Sequence, residues 1–295
     1  MTNSAPAYGT GVWTSADGLT LRYRDYPGRP DALGNHPAIL CIPGLTRNCR
    51  DFEPVAEAFA GEWRVICADL RGRGQSDYAK DAGTYMPLQY MADIAALLDQ
   101  AALDRVVLMG TSLGGIVIML LAMTAPERIA GAVLNDVGPE IEAAGLTRIR
   151  DYVGQGRSFP TWMHAARGLR EQGGVAHPDY ALADWLRLAK RLMCVGPGGR
   201  IAFDYDMKIA EPFQAPPGDP ADMWPALRAL GGRPVLAIRG ELSDILSAAT
   251  LDRMGREVPG LETVTIPRTG HAPTLEEPQA QAAIARLLAR VANSG

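Results

Sequence analysis

The chain has 295 residues, 47% hydrophobic and 21% charged, with a net charge of -4. That length can bury a sizeable core in one large or two smaller domains. Its mild acidity gives no basis for nucleic acid or an anionic membrane as a partner, and no apolar run reaches the roughly 18 residues a spanning helix needs.

The opening Met1-Thr2-Asn3-Ser4-Ala5-Pro6 has no basic stretch followed by an apolar core. The expectation is a cytoplasmic protein without a secretory signal. Cys41, Cys49, Cys67 and Cys194 show no CxxC or zinc-ligand spacing. They read as free thiols in a reducing compartment, Cys41 and Cys67 as small core residues. Neither a metal nor a cofactor is expected.

Residues 11–27 read as a hairpin around Ala16-Asp17-Gly18, a strong turn signal. Residues 28–36 are rich in Pro and Gly and form a loop. Ala38–Ile42 is a wholly apolar strand that runs into Pro43-Gly44-Leu45-Thr46-Arg47-Asn48. A helix over about 51–60 follows, then the apolar strand Val65–Ala68 and Asp69-Leu70-Arg71-Gly72-Arg73-Gly74-Gln75-Ser76. That last stretch lacks the lysine and spacing of a phosphate loop, and a structural role through Asp69 and Arg71 hydrogen bonds suits it better.

An amphipathic helix is predicted over 87–101, a strand over 105–109, then a buried helix to Pro126 and a strand Ala132–Asp136. Continuous apolar strands alternating with helices imply a parallel sheet covered on both faces. From 140 to 225 the rhythm turns helical and is broken by Gly/Pro clusters, the last being Pro216-Pro217-Gly218. This reads as a cap or lid inserted into a core formed by 1–139 and 226–295. Strands Pro234–Ile238 and Leu261–Ile266 and a helix over 277–292 complete that core.

Between the 105–109 strand and its helix lies Gly110-x-Ser112-x-Gly114. In a strand-turn-helix context this is the nucleophile-elbow pattern, with Ser112 at the apex. Open parallel sheets bind ligands at the carboxyl ends of their strands. Asp244 follows the 234–238 strand, and His271 follows the 261–266 strand. A serine hydroxyl needs an adjacent base, a histidine can supply it, and a carboxylate on the far nitrogen orients the ring. Ser112, Asp244 and His271 are the predicted catalytic set. Glu241 and Asp136 are the other carboxylates within reach, and Asp244 is placed ahead of both. The predicted oxyanion donors are the backbone N–H groups of Leu113, at a helix N-terminus, and of Leu45.

The pieces Ile42-Pro43-Gly44-Leu45, Asp69 to Ser76, Gly110 to Gly115, Arg239 to Asp244 and Gly270-His271-Ala272-Pro273 resemble the α/β-hydrolase superfamily over nearly the whole chain. The match is closest to its esterase and enol-lactonase-like members. The resemblance implies an α/β-hydrolase fold, with a mostly parallel sheet, helices on both faces and a helical cap. It also implies a serine hydrolase acting on a small carboxylic ester, including a lactone, through an acyl-enzyme on Ser112. Many relatives carry histidine where Pro43 stands; a backbone donor survives that change.

A C–C bond hydrolase of ring-cleavage products or an amide hydrolase would use the same three residues. A non-catalytic ligand-binding protein could also retain them. Arg47 and Asn48, beside the oxyanion loop, are candidates for holding a substrate carboxylate. Trp162 and Trp185 in the cap are candidates for lining an apolar pocket, although aromatic residues at helical spacing more often pack. A monomer and a homodimer are both compatible with the sequence.

Overall fold

The computed structural model describes residues 7–28, 36–214 and 221–294. The predicted leaderless N-terminus, most of the 28–36 loop and the Pro216–Gly218 break lie outside them. In chain order the core opens with strands β1 (Gly9–Thr14), β2 (Thr20–Tyr26) and β3 (Ala38–Ile42), helix α1 (Glu53–Phe59) and strand β4 (Val65–Asp69). It continues through α2 (Pro87–Gln100), β5 (Val106–Thr111), α3 (Leu113–Thr124) and β6 (Ile129–Asn135). The middle segment holds α4 (Ala143–Tyr152), β7 (Ser158–Phe159), α5 (Trp162–Gly173), α6 (Leu182–Leu192), β8 (Met193–Val195), β9 (Ile201–Phe203) and α7 (Glu211–Gln214). α8 (Trp224–Arg228), β10 (Val235–Gly240), α9 (Ala248–Glu257), β11 (Leu261–Ile266) and α10 (Pro278–Ala292) close the chain.

The eight-stranded sheet has the order β1-β2-β4-β3-β5-β6-β10-β11. β1–β2 and β2–β4 pair antiparallel, and every pairing from β4 to β11 is parallel. β3, β4, β5 and β6 are buried along their whole length, as continuous apolar runs in a parallel sheet require. Their side chains alternate between two apolar clusters. Leu40, Ile42, Val106 and Leu108 face one cluster with α2, α3 and α9. Ile39, Cys41, Val107 and Met109 face the other with α1 and α10. The α/β-hydrolase fold expected from the motifs is therefore the fold observed.

The Asp69-to-Ser76 loop is held by buried charge. The Asp69 carboxylate accepts the N–H groups of Cys49 and Gln75 at 2.7 and 3.1 Å. The Arg71 guanidinium, fully buried, clamps Asp93 at 2.6 and 2.7 Å and Asp17 at 2.8 and 2.9 Å. It holds the Asp17 carboxyl down at about 2.

In the middle segment, α5 and α6 share their own cluster of Ala165, Leu169, Trp185, Leu188 and Leu192. Strands β7, β9 and β8 form a small antiparallel sheet within a stretch whose sequence reads as mostly helical. Strands of two or three residues leave no alternation to read.

β5 passes into α3 with very little space. A Cβ on Gly114 would lie 2.0 Å from the Ile42 carbonyl oxygen, and one on Gly110 would lie 2.3 Å from the Gly114 carbonyl carbon. These are backbone atoms and cannot step aside. Gly114→Ala is expected to lower unfolding free energy by about 3 kcal/mol, read as a fall in the urea midpoint. Gly198→Ala, where a Cβ meets nothing within 4 Å, should stay within about 0.5 kcal/mol.

Candidate active site

Ser112 stands at the turn between β5 and α3 with φ 52° and ψ -115°, a strained setting for a residue with a Cβ. Its N–H donates to the Asn135 carbonyl at 2.9 Å. The buried Asn135 amide donates to Thr111 Oγ1 at 3.0 Å and to the Pro273 carbonyl at 2.9 Å. One side chain at the end of β6 thus ties the elbow to the segment that follows His271.

His271 Nε2 lies 3.0 Å from Ser112 Oγ, and Nδ1 lies 2.7 Å from Asp136 Oδ2. Asp136 directly follows β6, is fully buried, and has a φ of 55°, a conformation aspartate tolerates better than most residues. Its Oδ1 accepts the Gly240 N–H at 2.8 Å and its Oδ2 accepts the Ser243 hydroxyl at 2.7 Å. An ionised carboxylate only accepts, so Nδ1 carries the proton and Nε2 is left to accept from the serine. A chain of this kind can remove the hydroxyl proton as the oxygen attacks and stabilise the resulting imidazolium.

The structure corrects the choice of acid. Asp244 does not meet His271. Its carboxylate forms a two-pronged pair with Arg148 of α4, at 2.5 and 2.8 Å. Burial pulls the Asp244 carboxyl up, but the Arg148 contacts outweigh it and hold the group below the usual range. The cause lies in the 241–247 loop. Ser243 Oγ accepts the N–H groups of Ile245 and Leu246 while donating to Asp136, so Ser243 turns inward and Asp244 projects outward. Glu241 is engaged with the Arg268 N–H at 2.7 Å. The signal for Asp136 was present, since the sequence shows it at the very end of an apolar strand.

The 43–45 loop and the elbow lie in contact. A Cβ on Gly114 would sit 3.2 Å from the Pro43 carbonyl oxygen, and one on Gly44 would sit 3.7 Å from Ser112 Cβ. Leu113 is the first residue of α3, where N–H groups have no intrahelical acceptor. Among the described residues, neither the Leu45 N–H nor the Leu113 N–H has a protein acceptor. Two free donors beside a serine are what a developing oxyanion requires.

Arg47 is beside the same loop, with Nη1 on Asp51 Oδ1 at 3.0 Å and a fifth of its side chain exposed. Asn48 is not available to substrate. It is fully buried, donates to the Arg191 carbonyl at 3.0 Å and accepts the Arg50 N–H at 3.0 Å. Trp185 is buried in the cluster between α5 and α6, and Trp162 packs against that cluster. Both tryptophans are occupied by packing, the commoner fate of apolar residues at helical spacing.

A residue the sequence did not single out lies near the site. His177 is buried, stacks on Tyr180 with centroids 4.5 Å apart, and meets the edge of Trp185. Its Nδ1 is buried without a partner. Burial first, and then the nearby Arg47 cation, push the imidazole down to about 4. The flanking residues fasten this loop to the His271 loop. The Gly270 N–H donates to the Ala176 carbonyl at 2.6 Å, Asp179 pairs with Arg268, and the Tyr180 and Thr274 hydroxyls are 3.3 Å apart. Among the described residues, no three His, Cys, Asp or Glu side chains gather as metal ligands would.

Residues 39–284 match the model of the "Alpha/beta hydrolase family". The chain is similar to a 3-hydroxybutyrate-oligomer hydrolase of Cupriavidus necator, 34% identical over 85% of this chain and 87% of that protein. It is also similar to a 2-(acetamidomethylene)succinate hydrolase of Mesorhizobium japonicum, 29% identical over 81% and 82%. Among solved structures, an alpha/beta hydrolase of Novosphingobium aromaticivorans superposes with a TM-score of 0.92 at 58% identity, over 97% of this chain and 99% of that one.

The His177 environment has a consequence for acid stability. A depressed imidazole leaves His177 unprotonated in the folded chain between about 6.5 and about 4, where the same residue in the unfolded chain takes up the proton. Stability therefore falls as pH falls through that window. From pH 7 to pH 4.5 the wild-type Tm should drop further than that of His177→Gln. Equal drops would count against the burial argument.

Proposed function

Because the chain belongs to the alpha/beta hydrolase family, and is a hydrolase, we propose that it cleaves carboxylic esters through an acyl-enzyme on Ser112. The observation that carries this reading is the unbroken Ser112–His271–Asp136 hydrogen-bond chain beside two unoccupied backbone donors. Ser112 Oγ attacks the ester carbonyl as His271 takes its proton. The oxyanion is held by the Leu45 and Leu113 N–H groups. His271 passes the proton to the leaving alkoxide, then draws one from water, and the hydroxide attacks the acyl-enzyme. As the second tetrahedral intermediate collapses, His271 returns that proton to Ser112 Oγ, the acid leaves and Ser112 is restored.

The similarity to a 3-hydroxybutyrate-oligomer hydrolase supports a small hydroxyacyl ester as the substrate. An oligomer of such a hydroxy acid ends in a free carboxylate. Arg47 is a partly exposed cation beside the oxyanion loop, with guanidinium nitrogens beyond the one bound to Asp51, and it is the residue we assign to that carboxylate. Arg47→Ala should raise KM for carboxylate-bearing esters several-fold and leave KM for neutral esters near the wild-type value. Equal KM changes for both substrates would remove the assignment.

A fluorophosphonate probe and p-nitrophenyl butyrate test the reaction itself. Ser112→Ala should lose both labelling and turnover. Asp136→Asn should lower kcat by about 10,000-fold, the size seen when such a histidine is left in the wrong tautomer. Asp244→Asn should stay within about tenfold of wild type. Full activity in Ser112→Ala, or a larger loss in Asp244→Asn than in Asp136→Asn, overturns the reading.

A further inference from the structure

Arg73 is a buried cation that the reaction just described does not use. It is fully buried, and among the described residues no carboxylate pairs with it, whereas Arg71 two positions earlier holds two. Its partners are neutral. Nε donates to the Leu45 carbonyl at 2.9 Å, and Nη1 donates to the Arg71 carbonyl at 2.6 Å and to the Tyr90 hydroxyl oxygen at 2.9 Å. The guanidinium lies over the Tyr90 ring, 4.6 Å from its centroid. Nη2 is buried with no acceptor. A buried charge without a counter-ion is costly to fold around, so its position calls for a reason.

The reason lies at Leu45. Two peptide planes flank this residue, and each is pinned. The Arg47 N–H donates to the Gly44 carbonyl at 3.2 Å, which fixes the plane carrying the Leu45 N–H. Arg73 Nε holds the Leu45 carbonyl, which fixes the next plane. With peptide units rigid, setting both planes sets φ and ψ of Leu45 and therefore the direction of its N–H. The fixed cation also adds positive potential beside the loop, in a buried setting where such terms are strong.

Arg73 is in turn set by the middle segment. Its backbone bridges Tyr205, the Asp206 N–H donates to the Gly72 carbonyl at 2.8 Å, and the Gly74 N–H donates to the Asp204 carbonyl at 3.1 Å. We infer that Arg73 is a positioning residue: it aims the Leu45 N–H at the oxyanion and ties that aim to the seating of the 204–206 segment. The inference rests on the ester-hydrolase reading above.

Three measurements on Arg73→Met and Arg73→Lys test it. Arg73→Met should lower kcat for p-nitrophenyl butyrate by about 10- to 100-fold, with KM within about threefold. Its affinity for a trifluoromethyl ketone, which forms an oxyanion adduct on serine, should fall by the same factor as kcat. Arg73→Lys, whose ammonium can still reach the Leu45 carbonyl, should recover part of both.

An Arg73→Met protein with wild-type kcat and inhibitor affinity overturns the inference, as does a loss of kcat with no loss of inhibitor affinity. If Arg73→Met does not fold, Arg73→Lys decides, because its kcat and inhibitor affinity must fall in step. Fluorophosphonate labelling of wild type is read first. Its absence overturns the hydrolase reading and this inference with it. Labelling in wild type with both variants unchanged overturns this inference alone.

Discussion

The Asp136 carboxylate receives three hydrogens on two oxygens, from His271, Ser243 and the Gly240 backbone. Those donors come from the His271 loop, the loop after β10, and the last residue of β10 itself. A fully buried carboxylate survives only when its acceptor sites are filled. The three elements are thus brought to one point by the need to satisfy one charge. The histidine ring has its orientation from that point, and the serine has its base from the ring.

Placing the acid after β6 releases the position after β10 for another use. β6 lies between β5 and β10 in the sheet, so the end of β6 is flanked by the elbow on one side and the Gly240 turn on the other. Asp136 and Asn135 work on opposite sides of that strand end. Asn135 binds the elbow and Pro273, while Asp136 binds His271 and Ser243. Asp244, one residue beyond the inward-turned Ser243, then faces α4 and holds Arg148.

The core was legible in the sequence because its strands are uninterrupted apolar runs. Ile39, Leu40, Cys41 and Ile42 could be nothing other than a buried strand between a proline-rich loop and Pro43. Ser112 and His271 were legible because each is a polar residue just past such a run. The acid was not, because Asp136 and Asp244 satisfy the same criterion. What separates them is the direction of Ser243, a matter of three hydrogen bonds inside one loop. Asn48 read as a free polar residue near the site; only a partner at Arg191, far along the chain, shows it to be occupied. The short strands β7, β8 and β9 and the approach of His177 depend likewise on contacts across the fold.

The α5–α6 unit joins the rest of the molecule by different forces from those that hold it together. Internally it has its own apolar cluster. Its seams with the core run through Arg191 and Arg187 to Glu276, Arg50 to Asp204, and Asp179 to Arg268, together with the Asn48 and Ala176 hydrogen bonds. Ion pairs near a surface weaken as salt shortens the Debye length, while apolar burial is strengthened or left alone. Ionic strength is therefore a selective lever on this molecule. Raising it acts first on the exposed Asp179–Arg268 pair beside His271 and least on the mostly buried Arg50–Asp204 pair.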